Sequence, residues 1–331
     1  MRALIVGLGN VGRRHLANLR RLEPKAHVTA WRRQSGAGGR DTGDAGADEV
    51  VYSIEDALRS KPDCAVIANP SSQHVATASA LAREGIPLLI EKPLSDGLPG
   101  IDELLAACES RGIALMVGYN FRHYRPLQSA KRALDEGRIG RLMSLRVEVG
   151  QYLPDWAPGL DYRKSSSASR ALGGGALLEL SHELDTSRWL LGEVTQVSAQ
   201  LARLSDLDID VEDTAEITLV FQSGAIGSVH LDMTRRPMAR SCRVIGTEGT
   251  LTWDWQDHRT RLYSPKEGRW EDVAPAAQQE RNEMYLSEMG HFLACVRGER
   301  KPFADGRDAK RVLEIVLAAK RSAAEQRTIR I

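Results

Sequence analysis

The sequence predicts two domains in series: a doubly wound α/β parallel sheet over residues 1–120, then an α+β domain over residues 121–331 with a large, mostly antiparallel, open-faced sheet. Three observations predict this. Short continuous apolar runs alternate with helical patterns through the first domain, as in strands buried on both faces and joined by crossover helices. Beyond it the runs lengthen and alternate with period two, the pattern of a sheet with one covered face. The length of 331 residues also exceeds what one hydrophobic core usually serves.

The elements follow in order. Ala3 to Gly7 (ALIVG) is an apolar run ending in glycine, with a helical pattern from Asn10 to Leu22. Further strands are predicted at His27 to Trp31, Glu49 to Tyr52, Cys64 to Asn69, Pro87 to Glu91 and Ala114 to Tyr119, with helices notably at Ser72 to Glu84 and Leu98 to Arg111. The Gly-rich stretch Ser35 to Gly46 lacks periodicity but the strand rhythm resumes after it, so it reads as a surface loop. In the second domain, alternating runs occupy Leu142 to Val149, Thr214 to Phe221, Ala225 to Leu231 and Cys242 to Ile245. Helical patterns from Arg281 to Arg297 and Arg307 to Glu325 close the chain. A sheet with helices on one side leaves the other face to a second subunit, so a homodimer or homotetramer is expected.

Composition excludes several functions. A net charge of +1, with both signs interspersed, provides no basic face for nucleic acid. No apolar run approaches the ~20 residues that span a bilayer, so no membrane partner is expected. Cys64, Cys108, Cys242 and Cys295 are widely spaced and form no CxxC pair, which predicts reduced thiols and no metal site. A strand begins within three residues of Met1, leaving no room for a secretory signal, and a cytoplasmic location is expected.

Gly7, Gly9 and Gly12 form GxGxxG (GLGNVG) after a strand and at the opening of a helix. Such glycines make the turn, admit a pyrophosphate to the backbone and let helix and strand pack closely, while the helix N-terminus attracts phosphate charge. Gly7, Gly9, Asn10, Val11 and Gly12 are therefore candidate contacts to a dinucleotide on a Rossmann domain. The acid that usually binds the ribose, roughly 20 residues beyond the glycines, should fall near Trp31 to Arg33. Arg32 and Arg33 stand there instead, and a guanidinium suits a 2′-phosphate, so NADP is favoured, with NAD as the other nicotinamide cofactor the turn would hold. The other reading is two solvated arginines on a loop.

Taken in order, GLGNVGRRH, ANPSSQH, EKP at Glu91 to Pro93, GYNFRHYRP, GGGALLELSHELD (Gly173 to Asp185), VEDTA at Val211 and IGTEGTLTWD at Ile245 resemble the glucose-fructose oxidoreductase and inositol dehydrogenase family, Gfo/Idh/MocA, over essentially the whole chain. The resemblance implies oxidation or reduction of a hydroxyl or ketone on a sugar, cyclitol or nucleotide-sugar-like small molecule with NAD or NADP. It implies that Lys92 contacts the reacting oxygen, that His182 shares the proton transfer, and that Asn69, Pro70 and His74 line the nicotinamide side, beside Glu91. A cis Lys92–Pro93 bond is also common among similar proteins. One departure concerns the aspartate the pattern places four residues before the histidine, where this chain has Leu178. Glu179 lies three residues before His182 and would share its face on a continuous helix. Otherwise the helix is shifted and the carboxylate role is lost or passes to Glu183. The form LELSHELD looks like a branch of nucleotide-sugar or nonulosonic-acid biosynthesis.

The chemistry fits these residue types. Removing a hydride from a carbinol requires the hydroxyl proton to leave as well, and a lysine can take it when burial or a neighbouring cation brings its pKa down. Lys92 sits at a strand end, where doubly wound sheets bind ligands; its bland alternative is a surface ion pair with Glu91. His182 and Glu179 have the bland readings of a satisfied helix histidine and a solvated carboxylate favourable at a helix start. Tyr119, Asn120, Arg122, Tyr162, Arg163 and Asp185 are candidate substrate contacts, Tyr162 and Arg163 lying with Trp156 and Lys164 in a long irregular segment of the kind that forms lids; Tyr119, Asn120 and Arg122 read equally as residues that hold the domains together, and the irregular segment as a solvated charged loop. Asp232, Arg235 and Arg236 follow a strand and read equally as substrate or interface residues. Two rivals to a simple dehydrogenase remain: a redox-assisted sugar lyase or epimerase that recycles its bound cofactor, and a non-catalytic dinucleotide sensor.

Overall fold

A computed structural model describes residues 1–32, 46–273 and 280–331. The order of elements is β1 (Arg2–Val6), α1 (Asn10–Leu22), β2 (His27–Trp31), β3 (Glu49–Val51), α2 (Ile54–Arg59), β4 (Cys64–Ile67), α3 (His74–Arg83), β5 (Leu88–Ile90), α4 (Ile101–Arg111), β6 (Leu115–Val117), α5 (Arg125–Asp135), β7 (Leu142–Gly150), α6 (Ala176–Glu179) and α7 (His182–Leu191). Then come β8 (Val194–Ala202), β9 (Thr214–Phe221), β10 (Ile226–Asp232), β11 (Ala239–Gly246), β12 (Gly249–Asp254), β13 (Arg259–Ser264), β14 (Arg269–Asp272), α8 (Arg281–Val296), α9 (Gly306–Glu325) and β15 (Ile329–Arg330). The predicted Ser35 to Gly46 loop lies outside the described residues except for Gly46, and Arg33 lies outside them too.

The chain forms two compact units, Met1–Asn120 with Arg281–Lys310, and Phe121–Glu280 with Arg311–Ile331. In the first, six parallel strands take the order β3-β2-β1-β4-β5-β6. The chain runs outward on one side of β1 and then returns to the other, so the order reverses between β1 and β4, and the crevice beyond their C-terminal ends is where such sheets bind ligands. Registry is direct, with Val6 opposite Trp31 on one side and Ile67 on the other. Strand burial is continuous in β1, where only Arg2 is exposed, and in β4, where every residue is buried.

Segment Arg281–Lys310, placed with the second domain from the order of the sequence, groups with this first unit. The cause is hydrophobic. Met289, Phe292 and Leu293 on α8 join Leu16 and Leu19 of α1 and Ile5, Val28 and Val66 of the sheet in one buried cluster. Period-3.6 patterning shows that α8 has an apolar face but not which core it completes.

The second unit contains nine strands in the order β14-β13-β12-β11-β7-β10-β9-β8-β15. All neighbours are antiparallel except β7 and β10, which run parallel. That parallel pair needs a crossover, and α6, α7, β8 and β9 supply it. Alternation is clear in β10, where Gly227, Val229 and Leu231 are buried while Ile226 and Ser228 are exposed. Helix α7 packs on β7 and β10, and α5 on β12 and β13, covering one face of the sheet.

Candidate functional site

In the first unit, Gly7 follows β1 with φ +88°, a left-handed conformation that favours glycine, and its N–H donates to the Trp31 carbonyl at 2.8 Å. A Cβ there would lie 2.7 Å from the Ala68 carbonyl oxygen, and one at Gly12 would meet the Gly7 carbonyl oxygen. A Cβ at Gly9 would meet nothing within 4 Å. Two glycines therefore close the turn against the sheet and the middle one faces open space. Gly9 is the N-cap of α1, which begins at Asn10 and Val11. Together these features fit a dinucleotide pyrophosphate approaching the backbone at the positive end of the helix dipole. Arg32 follows β2 directly, its N–H bonded to the Val51 carbonyl at 3.1 Å.

Beyond β4, Asn69 donates from Nδ2 to Thr77 Oγ1 at 3.0 Å, and Pro70 opens a short 3-10 turn. His74 is 1% exposed, with Nδ1 2.8 Å from the Pro93 carbonyl oxygen and Nε2 2.8 Å from that of Asn69. Burial holds its pKa below the ordinary value, so the neutral ring donates to one carbonyl at a time. Thus His74 braces the β4 loop against the β5 loop. Lys92 follows Glu91 at the end of β5, is half-buried, and joins Pro93 through a cis peptide bond. Glu91 Oε2 accepts the Lys92 backbone N–H at 3.1 Å, while Oε1 lies 2.6 Å from His15 Nε2. Tyr119 is 1% and Asn120 3% exposed, so both are buried.

In the second unit, α6 ends at Glu179, and Leu180 and Ser181 interrupt the helix before α7 begins at His182. The continuous helix expected to align Glu179 with His182 does not form, so the three-residue spacing no longer puts them on one face. The left-handed Gly173 and the Gly175 φ of +107° turn the chain just upstream and leave α6 a single turn. Glu179 is half-buried. The other carboxylate considered, Glu183, is 3% exposed and ion-paired to Arg240 at 2.7 Å.

His182 is 8% exposed at the first position of α7. Its ring meets Phe121 edge-on at 5.0 Å, and the Arg240 guanidinium lies 4.3 Å over the other residue of that pair, Phe121. Arg122 and Asp185, candidate substrate contacts, form a buried bidentate pair, Nε to Oδ2 at 3.0 Å and Nη2 to Oδ1 at 2.6 Å. Burial explains the pairing, because neither charge is stable there without the other. Tyr162 accepts the Asp208 N–H at its hydroxyl, and Arg163 pairs with the nearby Asp161, both in the 3-10 segment before the glycine run. The second-unit residues that sequence reasoning missed include Arg240 and the aromatic cluster of Phe121, Trp253 and Trp255, whose ring centroids lie 5.9–6.4 Å apart. Their signal was the aromatic pair in LTWDW, which lies in an ordinary-looking strand. Glu212 is also new: its carbonyl accepts from Ala176, its Oε1 from Leu177, and a Cβ at Gly175 would fall 2.5 Å from that oxygen.

Comparison with known proteins follows the same division. Residues 1–119 match the model described as "Oxidoreductase family, NAD-binding Rossmann fold", and residues 127–252 match the GFO/IDH/MocA C-terminal domain. The chain is 28% identical to myo-inositol 2-dehydrogenase of Thermotoga maritima, covering 100% of this chain and 98% of that protein. It is 29% identical to scyllo-inositol 2-dehydrogenase (NAD(+)) of Bacillus subtilis, covering 97% and 94%. Among solved structures, GenD2 from gentamicin A biosynthesis in complex with NAD superimposes with a TM-score of 0.83 at 28% identity, covering 100% of this chain and 96% of that one. With both domain models matched in order and relatives aligned end to end, the chain belongs to the Gfo/Idh/MocA family of oxidoreductases.

Proposed function

We propose that the protein is an NADP-preferring dehydrogenase or reductase that acts on a hydroxyl or ketone of a sugar, cyclitol or related polyol. The observation that carries this is the strand-end geometry of the first unit. A glycine turn with one position open to a ligand sits after β1, and a lysine is fastened in place after β5, both on the edge where a doubly wound sheet binds its ligand. The inositol dehydrogenases it resembles support the substrate class.

The nicotinamide, when bound, accepts or supplies the hydride. Gly9, Asn10, Val11 and Gly12 would hold its pyrophosphate through backbone N–H groups and the α1 dipole, with Gly7 shaping the turn while its own N–H is bonded to the Trp31 carbonyl, and Arg32 and Arg33 would take the 2′-phosphate. In oxidation the carbinol carbon would lose its hydrogen with both bonding electrons and the hydroxyl proton would pass to Lys92 Nζ; in reduction Lys92 would return that proton to the carbonyl oxygen. His182, in the second unit, is a candidate proton-transfer residue by the family resemblance. Replacing Lys92 by alanine removes the proton acceptor, and such groups contribute roughly 10²–10⁴-fold to rate.

Fluorescence titration of NADPH and NADH, on wild type and on the Arg32→Ala/Arg33→Ala double variant, tests the cofactor reading. NADPH is expected to bind more tightly, and the preference to disappear in the double variant. A stronger NADH signal in wild type would remove the NADP preference, and binding of neither would remove the dehydrogenase itself. A screen of inositols, sugars and nucleotide sugars then follows, with Lys92→Ala as the inactive control; Lys92→Ala turnover equal to wild type would take the proton-transfer role from that residue.

A further inference from the structure

The first unit brings together three titratable groups that this chemistry does not employ. His15 on α1, Glu91 after β5 and Glu288 on α8 place ring nitrogen and carboxylate oxygens within 4.8 Å of one another. His15 is fully buried and Glu288 is 1% exposed. Neither carboxylate oxygen of Glu288 has a hydrogen-bond partner, nor does His15 Nδ1. An ionised carboxylate so placed would be held against both burial and the charge of Glu91, and gaining a proton relieves both.

Other groups stand around the cluster. Lys92 follows Glu91, Tyr285 on α8 lies edge-on to the His15 ring at 6.2 Å, and the Arg14 guanidinium stands 4.5 Å over Tyr285. Burial and the Glu91 charge push the Glu288 carboxyl well above the usual carboxylate range. Burial alone would raise Glu91 as well, but the His15 hydrogen bond, the His15 charge and the Lys92 charge hold it below that range. A histidine and two carboxylates could in principle hold a divalent cation. The 2.6 Å between His15 Nε2 and Glu91 Oε1 speaks against it. Ligands about 2.0–2.2 Å from one ion stand roughly 3 Å or more apart, whereas 2.6 Å is the spacing of a shared proton.

We propose that Glu288 is a positioning residue: a neutral carboxylic acid that offers its proton towards Glu91, keeps Glu91 the single anion of the buried cluster, and through Glu91 sets the orientation of Lys92. The mechanical link is short. Glu91 holds the Lys92 backbone N–H at 3.1 Å, and its own N–H is fixed to the Ile67 carbonyl at 2.8 Å. Gly118 leaves room for that carboxylate, since a Cβ there would lie 3.1 Å from Glu91 Oε2. The Glu288 carboxylate stands within 4.8 Å of Glu91.

The inference rests on the proposed role of Lys92, so its test reads the lysine without requiring a substrate. Reductive ¹³C-methylation of the full-length protein labels lysines, and the Lys92→Ala variant identifies the Lys92 resonance. Infrared spectroscopy near neutral pH reports protonated carboxylic acid directly. Wild type is expected to show a buried carboxylic acid band that Glu288→Gln removes. Glu288→Gln, which can still donate, leaves the Lys92 resonance in place, whereas Glu288→Leu shifts it. Absence of the band, a shift in Glu288→Gln as large as in Glu288→Leu, or no shift in Glu288→Leu would each overturn the proposal. Should Glu288→Leu not fold, Glu288→Gln decides alone: the band must vanish while the Lys92 resonance stays. Full turnover by Lys92→Ala would instead sink the catalytic reading and leave the positioning result standing.

Discussion

Single residues divide into those whose chemistry is visible in a motif and those whose partners decide it. Lys92 belongs to the first kind, its proposed role resting on EKP at a strand end, which is local in sequence. Asp185 belongs to the second. Its place after His182 in HELD reads as a substrate carboxylate, yet Arg122 claims it in a buried bidentate pair. Removing one member of such a pair strands the other charge, at a cost of about 3–5 kcal/mol. Asp185→Ala is therefore expected to lower stability by that amount in a chemical denaturation series, and a variant of unchanged stability with a raised KM would return Asp185 to the substrate. Neither the Glu91–His15 bond nor the approach of Glu288 was legible, since the residues come from three separate stretches of the chain and share no periodic pattern.

At the scale of elements, the glycine turn was readable because its constraints are local, but the three glycines do different work. Gly12 is packed: a Cβ would be forced onto the Gly7 carbonyl oxygen. Gly12→Ala should cost roughly 1–3 kcal/mol through overpacking against backbone. Gly9 faces open space, so Gly9→Val should change stability by no more than about 0.5 kcal/mol. It should nevertheless weaken NADPH binding at least about tenfold, the Cβ branch standing where the pyrophosphate approaches. Thermal melts and cofactor titration of the two variants check both halves; a destabilised Gly9→Val that binds normally would reverse the assignment. The α6–α7 break shows the opposite case. Spacing of Glu179 and His182 supports a shared helix face only if the helix is unbroken, and the turn at Leu180 and Ser181 breaks it.

At the scale of the whole molecule, the nine-stranded sheet has a polar consequence. On the face of the nine-stranded sheet away from α7, His230 on β10 bonds Glu216 of β9 at 2.6 Å and Asp232 at 3.0 Å. The Asp232 bond, and then that of Glu216, raise the His230 pKa from 6.5 to about 9 despite partial burial. A raised folded-state pKa stabilises fully below the unfolded value, and that stabilisation is lost as pH rises through the folded one. The melting-temperature difference between wild type and His230→Gln should thus be largest below about pH 6.5 and fade by about pH 10. A difference constant across that range would show that His230 contributes through packing alone.

By itself the sequence determined the class of both domains, the dinucleotide turn and the lysine at the β5 end. These rest on periodicity and short motifs, and the forces behind them act between residues adjacent in the chain: strand alternation, turn glycines and helix starts. Only the tertiary structure decided that α8 returns to the first unit, that Arg122 and Asp185 satisfy each other, that Glu179 is cut off from the His182 helix, and that Glu288 faces Glu91. Each of those outcomes depends on burial, which sets whether a charge needs a partner and which apolar face a helix completes, and burial is fixed only once distant segments pack together.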